Sequence, residues 1–202
     1  MDGLLVDSEP LWHEVESDAA RAHGGRWTDA LSAECIGTGL AHAVELMRER
    51  LGLDLSVEQG VEELCRRFAD RVSELELQPG CAELIAAAAP RVPLALASSS
   101  RRVLIDAVLD RFALSERFAA VVSGQDVLRA KPAPDIFLHA ASLLDEPAAG
   151  CLVLEDSLAG VAAARAAGMP VIAVPEREPE RFRSLADVVA VDLHEVLALL
   201  GW

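Results

Sequence analysis

The chain has 202 residues, 52% of them hydrophobic and 25% charged, with a net charge of −15. This is enough apolar material for one large domain, or one domain with an insertion, and it excludes a disordered chain. So acidic a surface repels nucleic acid and anionic lipid, and no apolar run approaches the ~20 residues needed to span a bilayer.

Asp2 and Asp7 stand where a secretory leader would be basic, so the expectation is a cytoplasmic protein with no nucleic acid and no membrane partner. A monomer is the default. From the start to Gln78 the pattern is helical. Ser8 can cap a helix running through Pro10, Trp12, Val15 and Ala19 to a stop at Gly24-Gly25. Leu40–Leu51 repeats apolar residues at helical spacing and ends at Gly52. Ser56-Val57-Glu58-Gln59 is a capping box before a helix with Val61, Leu64, Cys65, Phe68 and Val72 on one face. Trp12 and Trp27 are expected in the core of this helical stretch.

Gln78-Pro79-Gly80 breaks the pattern, and short apolar runs then alternate with helical ones. Strands are predicted at Val92–Ala97, Ala119–Ser123, Cys151–Leu154, Val171–Val174 and Val188–Val191. Helices are predicted at Arg101–Phe112, Pro134–Leu144 and Ser157–Ala167, and a last one is capped by Asp192 and Glu195. Strands that are apolar throughout suit a parallel sheet covered on both faces. The fold class is therefore α/β, a doubly wound parallel sheet with its site at the carboxyl ends of the strands.

Those strand ends carry the distinctive residues. Val92–Ala97 runs into Ser98-Ser99-Ser100, whose hydroxyls and free N–H groups suit a phosphate, although one serine could simply cap the next helix. Ala119–Ser123 leads to Lys131 in Ala130-Lys131-Pro132-Ala133-Pro134-Asp135. Of the 18 basic residues 17 are arginine, so Lys131 is the only lysine. Two prolines stiffen its loop, which then presents a fixed point charge to an anion. Cys151–Leu154 ends in Glu155-Asp156, two acids that repel unless a cation sits by them, as Mg²⁺ would. Gly3 permits a tight turn that leaves the Asp2 carboxylate projecting. The four cysteines form no CxxC pair and the five histidines show no metal-ligand spacing.

Taken in order, Asp2-Gly3-Leu4-Leu5-Val6-Asp7-Ser8-Glu9-Pro10, Ser98, Lys131 with Pro132 and Asp135, and Glu155-Asp156 resemble the motifs of the haloacid dehalogenase superfamily. The similarity is to its Mg²⁺-dependent sugar-phosphate phosphatases and β-phosphoglucomutase-like members. The resemblance implies a Rossmann-like core of residues 1–8 and 79–202 with an inserted all-helical cap of residues 9–78. It implies Asp2 as general acid/base and Ser98 and Lys131 as holders of the phosphoryl group, with Gly3 and Ser99 beside them. It also implies Mg²⁺ on Glu155 and Asp156 with the Asp2 backbone carbonyl, and a small phosphorylated sugar or polyol as substrate. The cap would close over the site and choose that substrate.

The family's nucleophile is an aspartate two residues before the general acid/base, at the end of a central first strand. Counting back from Asp2 leaves the chain, so that strand and carboxylate are expected to be absent from it. Met1 is then read as an internal methionine of a longer working enzyme. A non-catalytic binding relative is the alternative. A mutase is disfavoured: relatives place an arginine after a turn like Ile36-Gly37-Thr38-Gly39, where this chain has Leu40. The usual hinge histidine also lacks a counterpart, with Trp12 nearest its place.

Overall fold

A computed structural model describes residues 1–35 and 39–202. They divide into two units, one of Ser8–Leu75 and one of Met1–Asp7 with Glu76–Trp202. Most of the turn Ile36-Gly37-Thr38-Gly39 thus lies outside the described residues.

The first unit is helical: α1 (Glu9–Ala22), α2 (Asp29–Cys35), α3 (Leu40–Leu51) and α4 (Val57–Asp70). The expected cap of α1 fails in one respect. Ser8 precedes the helix but makes no capping bond with its side chain, and its ψ of −12° is already helical. Capping hydroxyls reach back from an extended residue, so this backbone aims the Ser8 side chain elsewhere. The α4 cap is complete: Ser56 accepts from the Gln59 N–H and the Gln59 side chain accepts from the Ser56 N–H, each at 3.1 Å. Ser56→Ala is expected to cost about 1 kcal/mol, read as a lower urea midpoint in unfolding followed by circular dichroism. The buried face of α4 is Val61, Leu64, Cys65 and Phe68. Trp12 stacks on Phe68 with ring centroids 4.2 Å apart. The seven-residue α2 buries only Leu31, too little to register as a helical period.

The second unit opens with α5 (Cys81–Ala88) and alternates β1 (Ala95–Ser98), α6 (Arg102–Arg111), β2 (Ala120–Ser123), α7 (Asp135–Leu143), β3 (Val153–Glu155), α8 (Leu158–Ala166), β4 (Val171–Ala173), β5 (Val188–Val189) and α9 (Leu193–Leu200). The ladders between these strands are parallel, and an isolated antiparallel bridge joins Val6 to Leu77. The strands are shorter than the apolar runs that predicted them: Val92, Leu152 and Val191, at the ends of those runs, are exposed and lie outside the ladders.

One expectation is refined. The single sheet is two sheets, β1-β2 and β3-β4-β5, and among the described residues no ladder joins β1 to β3. The two are linked through packing instead. One buried cluster runs from Val122 through Ile136, Phe137 and Ala140 to Val153, Val161 and Val171. Thus α7 and α8 supply the continuity that backbone hydrogen bonds do not.

At the chain's end Asp192 caps α9 by accepting from the Glu195 N–H at 2.9 Å, while Glu195 accepts from the Val191 N–H at 2.7 Å. The reciprocal bond of the predicted box therefore falls one residue early. Cys65 and Cys81 are buried, Cys35 and Cys151 are half-buried, and none of the four is in a disulfide. Among the described residues no helix is long and apolar enough to cross a membrane.

Candidate active site

The ladder registers set Ser98 beside Ser123 and Glu155 beside Ala173, all at the carboxyl ends of their strands. Four segments distant in sequence meet there.

The first is the turn at Asp2. The Gly3 N–H donates to the Val6 carbonyl at 3.0 Å, and the Leu5 and Val6 N–H groups donate to the Met1 carbonyl at 2.7 and 3.2 Å. Gly3 has φ +72°, and a Cβ there would fall 2.2 Å from Asp156 Oδ2. Only glycine lets this turn approach the Asp156 carboxylate so closely.

The second segment is Ser98-Ser99-Ser100. Ser98 is buried, and its hydroxyl accepts from the Ser100 N–H at 3.1 Å. Ser99 is exposed. Ser100 Oγ donates to Asp2 Oδ2 at 2.7 Å. No serine of this run caps α6: its N-cap position is Arg101, with no capping bond from the side chain.

Third comes the lysine loop. Arg129 grips Asp135 through two bonds of 3.0 and 2.8 Å, closing the loop around Lys131. Lys131 Nζ pairs with Glu155 Oε1 and lies 3.4 Å from the Ala97 carbonyl of β1. It also sits 4.7 Å above the Phe137 ring. One side chain therefore spans the ends of both sheets.

The fourth is Glu155-Asp156. Glu155 is buried, and its Oε2 accepts from the Asp156 N–H and the Ser157 N–H at 3.0 Å and from the Ser157 hydroxyl at 2.9 Å. Burial pushes the Glu155 carboxyl up, but the Lys131 charge and hydrogen bond and the Ser157 N–H outweigh it and hold the group below its ordinary value. Asp156 goes the other way: burial first, then the Glu155 charge, push it up to about 7. The pair thus holds one acid already offset by a lysine and a second that is electrostatically unsatisfied.

That second acid is where a hard cation fits. Its oxygen lies against the Asp2-Gly3 backbone turn. Among the described residues no three His, Cys, Asp or Glu side chains gather into a metal site. A cation that keeps several waters and shares substrate oxygens needs no such gathering.

Behind Glu155, a Cβ on Gly160 would fall 2.0 Å from the carboxyl carbon. Gly160→Ala is therefore expected to displace Glu155 or α8 and destabilise the unit by about 1–3 kcal/mol, read in urea unfolding.

Two residues of the site escaped the sequence reading. Ser100 was visible only as one of three serines. Ser123 is fully buried, and its hydroxyl donates to the Ser100 carbonyl at 2.7 Å and accepts from the Gln125 N–H at 3.1 Å. The Ser123 N–H donates to Asp126 at 2.8 Å. The Ser123-Gly124-Gln125-Asp126 spacing is the available signal, a capping box at a strand end.

Comparison with known proteins gives these contacts a context. A family model described as haloacid dehalogenase-like hydrolase matches residues 1–168. Hexitol phosphatase B of Escherichia coli is 34% identical over 212 aligned positions, covering 100% of this chain and 94% of that protein. A bifunctional riboflavin kinase/FMN phosphatase of Arabidopsis thaliana is 33% identical over 87% of this chain, which spans 47% of that longer protein. The crystal structure of CbbY from Rhodobacter sphaeroides in complex with phosphate superposes with a TM-score of 0.87 at 28% identity, covering 100% of this chain and 96% of that one.

Proposed function

The chain belongs to the haloacid dehalogenase-like hydrolases, and we propose that it forms the body of a phosphatase acting on small phosphorylated sugars or polyols. The observation that carries this reading is the contact of four distant segments at the strand ends: Asp2 with Ser100, Gly3 with Asp156, and Lys131 with both Glu155 and Ala97. The name of the Escherichia coli relative points to a hexitol phosphate, and the phosphate complex of CbbY to the same kind of anion.

In this reading Lys131 and the Ser98-Ser99 segment hold the phosphoryl oxygens and offset the charge that spreads over them as the ester breaks. Asp2 gives a proton to the leaving sugar oxygen and later takes one from water. The family resemblance puts the phosphoryl acceptor, which would form an aspartyl phosphate, two positions before Asp2, a position that the 202 residues do not include. Asp156, with Glu155 directly or through water and the Asp2 carbonyl, would hold Mg²⁺, which when bound neutralises phosphoryl charge. Lys131 keeps Glu155 ionised. The helical unit Ser8–Leu75 is assigned the choice of substrate.

The test is phosphate release from a panel of hexose and hexitol phosphates by the chain preceded by a strand ending in aspartate at that position. Release is expected with Mg²⁺ and not with a chelator, and Asp2→Asn should lower kcat by roughly 10²–10⁴. A folded protein that releases phosphate from none of them would overturn the reading. Mg²⁺ itself has a separate readout. It should raise the Tm of the chain and should not do so for Asp156→Asn.

A further inference from the structure

We propose that Ser100 is the positioning residue for Asp2, and that Ser123 holds Ser100 in turn. The proposal rests on the reading of Asp2 as the acid/base group and adds how that group is aimed.

A serine just before a helix usually spends its hydroxyl on the helix N-terminus. Ser100 does not, since α6 has Arg101 at its N-cap position. Its hydroxyl donates instead to Asp2 Oδ2, 98 residues away in sequence, at 2.7 Å. The backbone on either side of that hydroxyl is fixed. The Ser100 N–H is tied to Ser98 Oγ at 3.1 Å, and the Ser100 carbonyl accepts from Ser123 Oγ at 2.7 Å.

Ser123 is the anchor of this arrangement. It is fully buried at the end of β2 and is itself set by the Gln125 N–H and the Asp126 carboxylate. A buried hydroxyl with its partners in place is a rigid element. The path Asp126–Ser123–Ser100–Asp2 therefore passes the position of β2 to a carboxylate on a turn near the chain start. Ser100 thus fixes the orientation of the Asp2 carboxylate through Oδ2. A misplacement of that carboxyl by a fraction of its own length would cost rate without unfolding anything.

The test uses the 202-residue chain, labelled with ¹³C and ¹⁵N, at a fixed neutral pH. Ser100→Ala should move the Asp2 ¹³Cγ resonance while leaving the amides of Val121 and Val122 in place, and Ser100→Thr should return it. Ser123→Ala should move the Ser100 amide and Asp2 ¹³Cγ together. An Asp2 resonance unchanged by Ser100→Ala in a folded chain overturns the proposal. Should the variants fail to fold, a crystal structure of the unaltered chain decides: Ser100 Oγ within hydrogen-bond distance of Asp2 sustains it, and Ser100 Oγ turned onto the α6 N-terminus overturns it. These readouts involve no turnover, so a failure of the phosphatase reading would appear separately, as absent phosphate release.

Discussion

Replacing Lys131 by methionine is expected to destabilise the unit of Met1–Asp7 and Glu76–Trp202 by about 3–5 kcal/mol at neutral pH. Methionine keeps most of the aliphatic stem but removes the charge. Glu155, buried at the end of β3, would then hold an ionised carboxylate without the lysine that pairs with it. The remaining Ser157 and Asp156 donors satisfy one oxygen only. The sign of the pH dependence should also reverse. In the unaltered chain Glu155 lies below its ordinary 4.5, so its contribution is present above that pH and is lost on acidification through the folded value. Without Lys131, burial dominates, the group rises, and the penalty grows with pH above 4.5 and fades below it. Lys131→Met with Glu155→Gln should recover most of the loss, because a neutral amide needs no counter-charge. Chemical unfolding of the three variants across acid and neutral pH measures this. Equal loss at every pH would mean that Lys131 contributes packing against Phe137 rather than charge.

What could be read from the sequence was what local pattern encodes. The strand cores are apolar runs, and α3 and α4 follow a clean helical period. Lys131 stood out because it is the only lysine, and Glu155-Asp156 because two adjacent acids at a strand end demand an explanation. The rest depends on partners far away in sequence. Nothing local to Ser100 says that its hydroxyl goes to Asp2, and nothing local to Ser123 says that its own goes to Ser100. Ser8 has the right residue type for a cap but the wrong backbone. The division into two sheets is also a long-range fact, since each strand's apolarity is the same whether one neighbour or two pair with it. Glu155 and Asp156 read as equivalent in sequence, yet Lys131 lowers one while burial and the first acid raise the other.

Glu16 was illegible for the same reason, and it carries the other large prediction. It lies on α1 among charged neighbours in sequence, but it is buried, accepting from Trp27 Nε1 at 2.9 Å and from Ser32 Oγ at 3.4 Å. Ser32 on α2 also accepts from Trp27 Nε1 at 2.7 Å and meets His13 Nδ1 at 2.7 Å, with Asp29 3.6 Å from the far side of that imidazole. Burial pushes Glu16 up to about 7, against the two hydrogen bonds that favour the ionised form. A group raised on folding stabilises fully below its unfolded value and loses that contribution as pH rises through the folded one. The unit of Ser8–Leu75 should therefore lose about 3 kcal/mol between pH 4.5 and pH 7 from this residue alone. The same charge feeds back on Cys35, whose thiol burial, then Glu16 and Glu34, push up to about 12. Glu16→Gln keeps an acceptor for Trp27 and Ser32 and removes the titration. It should leave stability near pH 4 almost unchanged, raise it by a similar amount at pH 8, and flatten the pH profile between. Trp12 and Trp27 both lie in this unit, so fluorescence-detected unfolding of the full chain reports on it. A profile for Glu16→Gln as steep as that of the unaltered chain would overturn the assignment to Glu16.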